Sequence, residues 1–139
     1  MKWLGLVLAG VSALLPVGAG AADPDLLLKW GQSGTAAGQF RFATAIAVSD
    51  AGRVYVLDSD LFRVQVFSTD STYLGQWATS GSRGIAVDAG GSVYVTGPAA
   101  DVVEKYTANG TLLTRWGSLG SGNGQFDNPF GIAADTDGN

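Results

Sequence analysis

The sequence predicts an all-β fold assembled from stacked four-stranded units. Three observations predict it: the composition, an internal repeat, and four strand-like runs inside each copy of that repeat. The 139 residues include 21 glycines and only 14% charged side chains, the make-up of a chain with many tight turns and not of a helical or disordered one. An apolar content of 46% can supply a core.

The repeat decides the architecture. Ala43 to Trp77, ATAIAVSDAGRVYVLDSDLFRVQVFSTDSTYLGQW, is matched by Arg83 to Trp116, RGIAVDAGGSVYVTGPAADVVEKYTANGTLLTRW. Ile46, Gly52, Val54-Tyr55-Val56 and Trp77 reappear 39 residues later as Ile85, Gly91, Val93-Tyr94-Val95 and Trp116. A third copy opens with NPFGIAADTDGN, where Ile132, Asp135 and Gly138 fall 47 residues after Ile85, Asp88 and Gly91. The spacing changes because the lead-in GQF stands at Gly38-Gln39-Phe40 and at Gly124-Gln125-Phe126, while the second copy has a shortened loop, Ala78 to Ser82, in its place. Length changes of this kind belong in the loops between repeats.

Within the first copy, strands are expected near Thr44 to Val48, Arg53 to Leu57, Arg63 to Phe67 and Tyr73 to Trp77, with the second set 39 residues on. Val, Ile, Tyr and Phe fill these runs, and Asp, Gly, Ser and Asn separate them. The first two strands are apolar on both faces, so each sheet should be covered on both sides. The third alternates, Arg63-Val64-Gln65-Val66, and is expected further out, nearer solvent. Gly52, Gly91 and Gly138 fall where the turn after the first strand calls for positive φ. A period of about 40 with four strands per copy is the signature of a β-propeller and not of a helical solenoid.

The first 21 residues read as a secretory leader. Lys2 supplies a positive start, Trp3 to Leu15 an apolar run, and Ala19-Gly20-Ala21 a small-residue cleavage site before Ala22. The alternative is an uncleaved anchor, since Trp3 to Ala22 carries no charge and about 20 residues can span a bilayer. After cleavage no membrane span is expected, and the mature protein is expected to be secreted or periplasmic. Residues 22–139 then form an incomplete propeller, with repeat 1 at about 38–77, repeat 2 at about 78–116 and a partial repeat 3 at about 117–139. Leu26 to Gly31 matches Tyr73 to Ala78 and Leu112 to Gly117, so it reads as an outermost strand that would latch a closed ring. Two full blades and the start of a third leave apolar faces open, and the expectation is a fragment completed by further C-terminal blades of the same chain.

GQF followed by GIAVD, VYV, RVQVF and a closing LxxW resembles the NHL repeat, over residues from about Leu26 to Asn139. The resemblance implies a propeller of about six four-stranded blades. It also implies that Asp58 and Arg63 are the family's paired Asp and Arg inside the first blade. The second copy has Gly97 and Val102 there, with Pro98 in the connecting loop, and must do without that pair.

Candidate sites have competing explanations within the repeat. Asp135 to Asn139 resembles the start of a calcium loop, yet its register makes it the turn equivalent to Ser49–Arg53 and Asp88–Ser92. The glycine-rich stretch Gly117 to Gly124 could cradle an anion, but a strand follows it instead of the helix that phosphate loops lead into. Trp30, Trp77 and Trp116 could stack sugars or bases; their recurrence at one repeat position favours packing between blades. Asn109-Gly110-Thr111 fits the N-glycosylation pattern and is also a strong hairpin signal.

With no histidine and no cysteine, these residues supply no imidazole base, imidazole or thiolate metal ligand, or disulfide, and no cofactor is evident. Asp58 and Asp60 share a loop without a sign of acid–base pairing. With Lys2 removed, 7 of the 8 basic residues remain against 12 acidic ones, a net charge of −5 that disfavours nucleic acid. The expected function is a non-enzymatic scaffold binding a protein, peptide or envelope glycan through its loops. Alternatives are part of a propeller hydrolase or lyase with its metal in further blades, or the sensor half of a signalling protein.

Overall fold

Ten strands and no helix make up the described part of the computed structural model, which covers residues 26–80, 83–97, 101–135 and 137. The leader and its cleavage site, Pro98 and Gly138 lie outside the described residues. Strands β3 (Ala43–Val48), β4 (Arg53–Asp58), β5 (Arg63–Ser68) and β6 (Tyr73–Ala78) form one antiparallel sheet in chain order. Strands β7 (Gly84–Val87), β8 (Val93–Gly97), β9 (Val102–Tyr106) and β10 (Leu112–Trp116) form the second with the same order. The equivalent turns after β3 and β7 close with Gly52 at φ 72° and Gly91 at φ 82°, a left-handed conformation that costs a residue with a Cβ about 1 kcal/mol or more.

The sheets pack face to face, with first strands β3 and β7 side by side. Tyr55, Leu57, Val64 and Val66 of the first blade meet Ile85, Val93, Val95 and Tyr106 of the second in one buried cluster. The opposite face of the first blade exposes Val54, Val56 and Phe67 to a smaller cluster capped by Trp30 and Phe40. Alternation along β4 explains the division, because Tyr55 and Leu57 point to one face and Val54 and Val56 to the other.

Two expectations about burial are corrected. β5 is not an outer, solvent-facing strand: Arg63, Val64, Gln65, Val66 and Phe67 are all buried. Arg63 and Gln65 are polar because they hold the backbone of residues 35–39. Nor is the first strand covered on both sides in each blade. Ile46 and Val48 are 60% and 58% exposed, whereas Ile85, at the repeat position of Ile46, is 7% exposed under the first blade.

The lead-in loops show how closely the chain repeats itself. Residues 31–40 bring Gln32–Ser33 (β1) alongside Gln39–Phe40 (β2) in a short parallel pair, and Leu119 and Phe126 form the equivalent bridge in residues 117–126. Each loop closes with a glycine N–H on a phenylalanine carbonyl, Gly34 to Phe40 and Gly120 to Phe126. Beyond the second loop the chain returns to the second blade, where the Thr96 hydroxyl donates to the Phe130 carbonyl at 2.9 Å.

Candidate functional site

Two buried polar networks set the end of the stack formed by the β4–β5 loop and the connections into each blade. In the first blade, Asp58 is fully buried and accepts the N–H groups of Arg41 (3.2 Å) and Phe42 (3.0 Å). Arg63 lies 3.5 Å from its carboxylate. The guanidinium also donates to the carbonyls of Thr35, Ala36 and Gln39 and to the Gln76 side chain. The pair that the resemblance implies is therefore formed and buried, and it anchors the lead-in loop. Gln65 completes the anchor, accepting from Gly38 N–H at 2.9 Å and donating to the Gln39 carbonyl at 2.7 Å.

The second blade moves its ion pair instead of losing it. Glu104 and Arg115 stand at the repeat positions of Gln65 and Gln76, and their side chains pair. Glu104 Oε2 accepts from Thr79 Oγ1 (2.8 Å), Ser80 N–H (3.0 Å) and Tyr106 O–H (2.7 Å), while Oε1 accepts from Ser80 Oγ (2.7 Å). Burial opposes ionisation of Glu104, but the donors Ser80, Tyr106, Thr79 and Arg115 outweigh it and hold the carboxyl at about 2. Burial, with the nearby Glu104 charge, pushes the Tyr106 hydroxyl up to about 12. These shifts keep one group ionised and the other neutral, which suits an anchor and not a proton carrier.

Around these anchors the end surface is apolar and charged. Phe42, Phe62 and Phe130 are 60%, 47% and 56% exposed. Phe62 adopts φ 47°, as Asp101 does at the equivalent position with φ 49°. Asp tolerates that conformation, whereas for a bulky aromatic it is an outlier costing about 1 kcal/mol or more. The Arg83 guanidinium sits 4.2 Å from the centre of the Phe130 ring.

The remaining sequence candidates resolve into structure. Trp77 packs between Tyr55 of its own blade and Tyr106 of the next, at 6.1 and 5.7 Å between ring centres. Trp30 takes the corresponding place against Phe67 at 6.2 Å. Trp116 meets Tyr94 at 6.3 Å and remains 42% exposed. Phe40 lies 5.8 Å from Phe67, and Gly38 and Gly124 carry φ 75° and 73° in their loops. Ile132 is half-buried in the third copy.

In the glycine-rich loop, the Gly120 and Gly122 N–H groups are spent on Phe126 O and Gln125 Oε1, so they are not turned outward toward an anion. Residues 49–53 and 88–92 are hydrogen-bonded turns. Asp88 serves its own blade, accepting from Ser92 N–H and Tyr94 O–H. Among the described residues no group of three or more His, Cys, Asp or Glu side chains could hold a metal ion. The Asn109–Gly110 turn is an inter-blade clasp, with Arg53 donating to Ala108 O at 3.2 Å and to Asn109 Oδ1 at 2.7 Å.

Sequence reasoning missed Glu104, Arg115, Phe62 and Arg83. For the first two a signal existed: Gln65 and Gln76 change together to Glu and Arg in the copy that lacks Asp58 and Arg63. For Phe62 the signal was an aromatic where the other copy has the turn-tolerant Asp101.

Comparison with known proteins places these features. A family model for the NHL repeat matches residues 40–67, which contain Asp58 and Arg63. No curated protein sequence matches the chain. Among solved structures, hydrazine synthase from Kuenenia stuttgartiensis superposes with a TM-score of 0.59 at 19% identity, over 77% of this chain and 30% of that one. At that identity the likeness is one of fold, and this chain spans less than a third of that protein.

Proposed function

We propose that this β-propeller chain, which carries an NHL repeat, is an extracytoplasmic binding scaffold of the six-bladed type. One observation carries the reading. The end of the blades built by Asp58, Arg63 and Glu104 displays Phe42, Phe62 and Phe130 to solvent, and Phe62 does so in a backbone conformation that works against stability. Buried charges are committed to positioning those segments, so the rigid part of the molecule presents the end and the end meets the partner.

An exposed aromatic set beside a chain of net charge −4 supports a protein, peptide or glycan partner over a nucleic acid. The Lys2, Trp3–Leu15 and Ala19-Gly20-Ala21 pattern supports export with cleavage after Ala21. Photocrosslinking in the native host tests both parts. A crosslinker at position 62 is expected to give a discrete adduct in the extracytoplasmic fraction, on a protein whose N-terminus is Ala22, and one at Asp70 on the opposite end is expected to give none. Equal adducts from both positions, or a cytoplasmic protein, would overturn the reading.

A further inference from the structure

At the same end, a cavity of ≈ 300 Å³ opens between the blades, lined by Phe42, Thr44, Ser59, Asp60 and Arg83. Its hydroxyls are already engaged, Ser59 Oγ with the Phe42 carbonyl and Thr44 Oγ1 with the Leu57 carbonyl. Its two charges are not. Arg53, Arg63 and Arg115 each spend their guanidinium on a carbonyl, amide or carboxylate oxygen. Among the described residues, Arg83 has only the Phe130 ring beneath it, and Asp60 makes no side-chain hydrogen bond or ion pair. The pocket lining thus holds an unspent anion from the first blade and an unspent cation from the second, with no ion pair between them, and Phe42 as its apolar part.

We infer that this pocket binds a small zwitterion with an apolar side chain, a free amino acid being the simplest. Its carboxylate faces Arg83, its ammonium faces Asp60, and its side chain lies against Phe42. A guanidinium held on an aromatic face is weakly hydrated and suited to a carboxylate. A simple anion would be repelled by Asp60 and a simple cation by Arg83, since like-charge juxtaposition is penalised strongly in a partly enclosed site. The volume lies at the lower end of the roughly 300–1,000 Å³ of small-molecule sites, which limits the ligand to a small one.

The inference rests on the reading of this end as a binding surface, and calorimetry separates the two. L-phenylalanine, N-acetyl-L-phenylalanine and L-phenylalaninamide are titrated into the full-length protein and into Asp60→Asn and Arg83→Gln. Saturable binding of L-phenylalanine is expected, weakened about tenfold or more by blocking either of its ends, which is a loss of about 1.4 kcal/mol. Asp60→Asn should weaken the free amino acid and the amide but tighten the N-acetyl probe, a simple anion that no longer meets the repelling carboxylate. Arg83→Gln should weaken the free amino acid and the N-acetyl probe but tighten the amide, a simple cation that no longer meets the repelling guanidinium. Both side chains are exposed, and unchanged thermal unfolding shows that the variants are folded. No saturable binding to the wild type, or losses that ignore which end is blocked, would overturn the zwitterion site. Adducts from position 62 that persist in that case would leave the scaffold reading standing.

Discussion

Replacing Glu104 with glutamine keeps the shape and removes one acceptor, and the geometry says why no rotamer repairs it. Oε2 meets the Ser80 N–H and Oε1 meets Arg115. Neither donor can be turned into an acceptor, so the new NH₂ faces a fixed donor whichever way the amide is placed. A folded-state carboxyl at about 2 against an ordinary 4.5 corresponds to a ceiling of about 3.4 kcal/mol at neutral pH. Because Arg115 is half exposed and its contribution is screened, about 2 kcal/mol is the expected loss. The sign follows from the depressed pKa: the stabilisation is present above about 4.5 and is lost as pH falls towards about 2. Urea unfolding of wild type and Glu104→Gln should therefore differ by about 2 kcal/mol at pH 7 and converge as the pH is lowered through that window. A gap that is the same at pH 7 and pH 2.5 would show that Glu104 acts through packing, and no gap at pH 7 would refute the network.

Asp58→Asn should cost about 3 kcal/mol in the same assay, because it leaves the buried Arg63 without its counter-charge. Gln65→Glu should destabilise by about 1–3 kcal/mol, since its carboxylate would face the Gln39 carbonyl that Nε2 now donates to. Gly110→Ala should also lower the unfolding free energy: its Cβ would fall 2.4 Å from the Trp77 ring, at φ 87°. Phe62→Asn should instead raise thermal stability, by about 0.5–1 kcal/mol, because Asn tolerates the positive φ of 47° that strains Phe62.

The eight strands of the two blades were legible because the β-branched and aromatic runs of the inner strands, and the outermost strands that carry Trp77 and Trp116, are bounded by turn residues and written twice at a fixed offset. The pairing of Asp58 with Arg63 was legible through the NHL resemblance. Their burial was not, because alternation such as Arg63-Val64-Gln65-Val66 gives the period of a strand without saying whether its polar face meets water or a loop. Here it meets the backbone of residues 35–39, whose groups need partners as surely as water does. β1 and β2 are two residues long, too short for any period. The pocket was the least legible feature, since the pairing of β3 with β4 brings Phe42 near Asp60 but only stacking of the blades adds Arg83.

The difference between Ile46 and Ile85 shows what holds the two blades and what a neighbour would add. Both occupy one repeat position, and both sit on a first strand with the same turn after it. Ile85 is buried by the face of the first blade, whereas the matching face in front of Ile46 is only partly covered. Trp30 reproduces there the packing that Trp77 makes on Tyr106, and Phe40 adds to it. Their cover reaches Phe67 but leaves Ile46 and Val48 more than half exposed. Fully burying an aliphatic side chain of this size stabilises by about 1.5–3 kcal/mol. A sheet laid on that face as β7–β10 lies on β3–β6 would therefore add a few kcal/mol from these two positions. That is comparable to the ceiling for Glu104. The charged anchors need no further neighbour, because each closes on segments of its own or the adjoining blade, and the apolar faces do. Separating the two kinds of interaction lets the end built on Asp58, Arg63 and Glu104 keep its geometry, while a further sheet joining the stack would raise the stability of the whole.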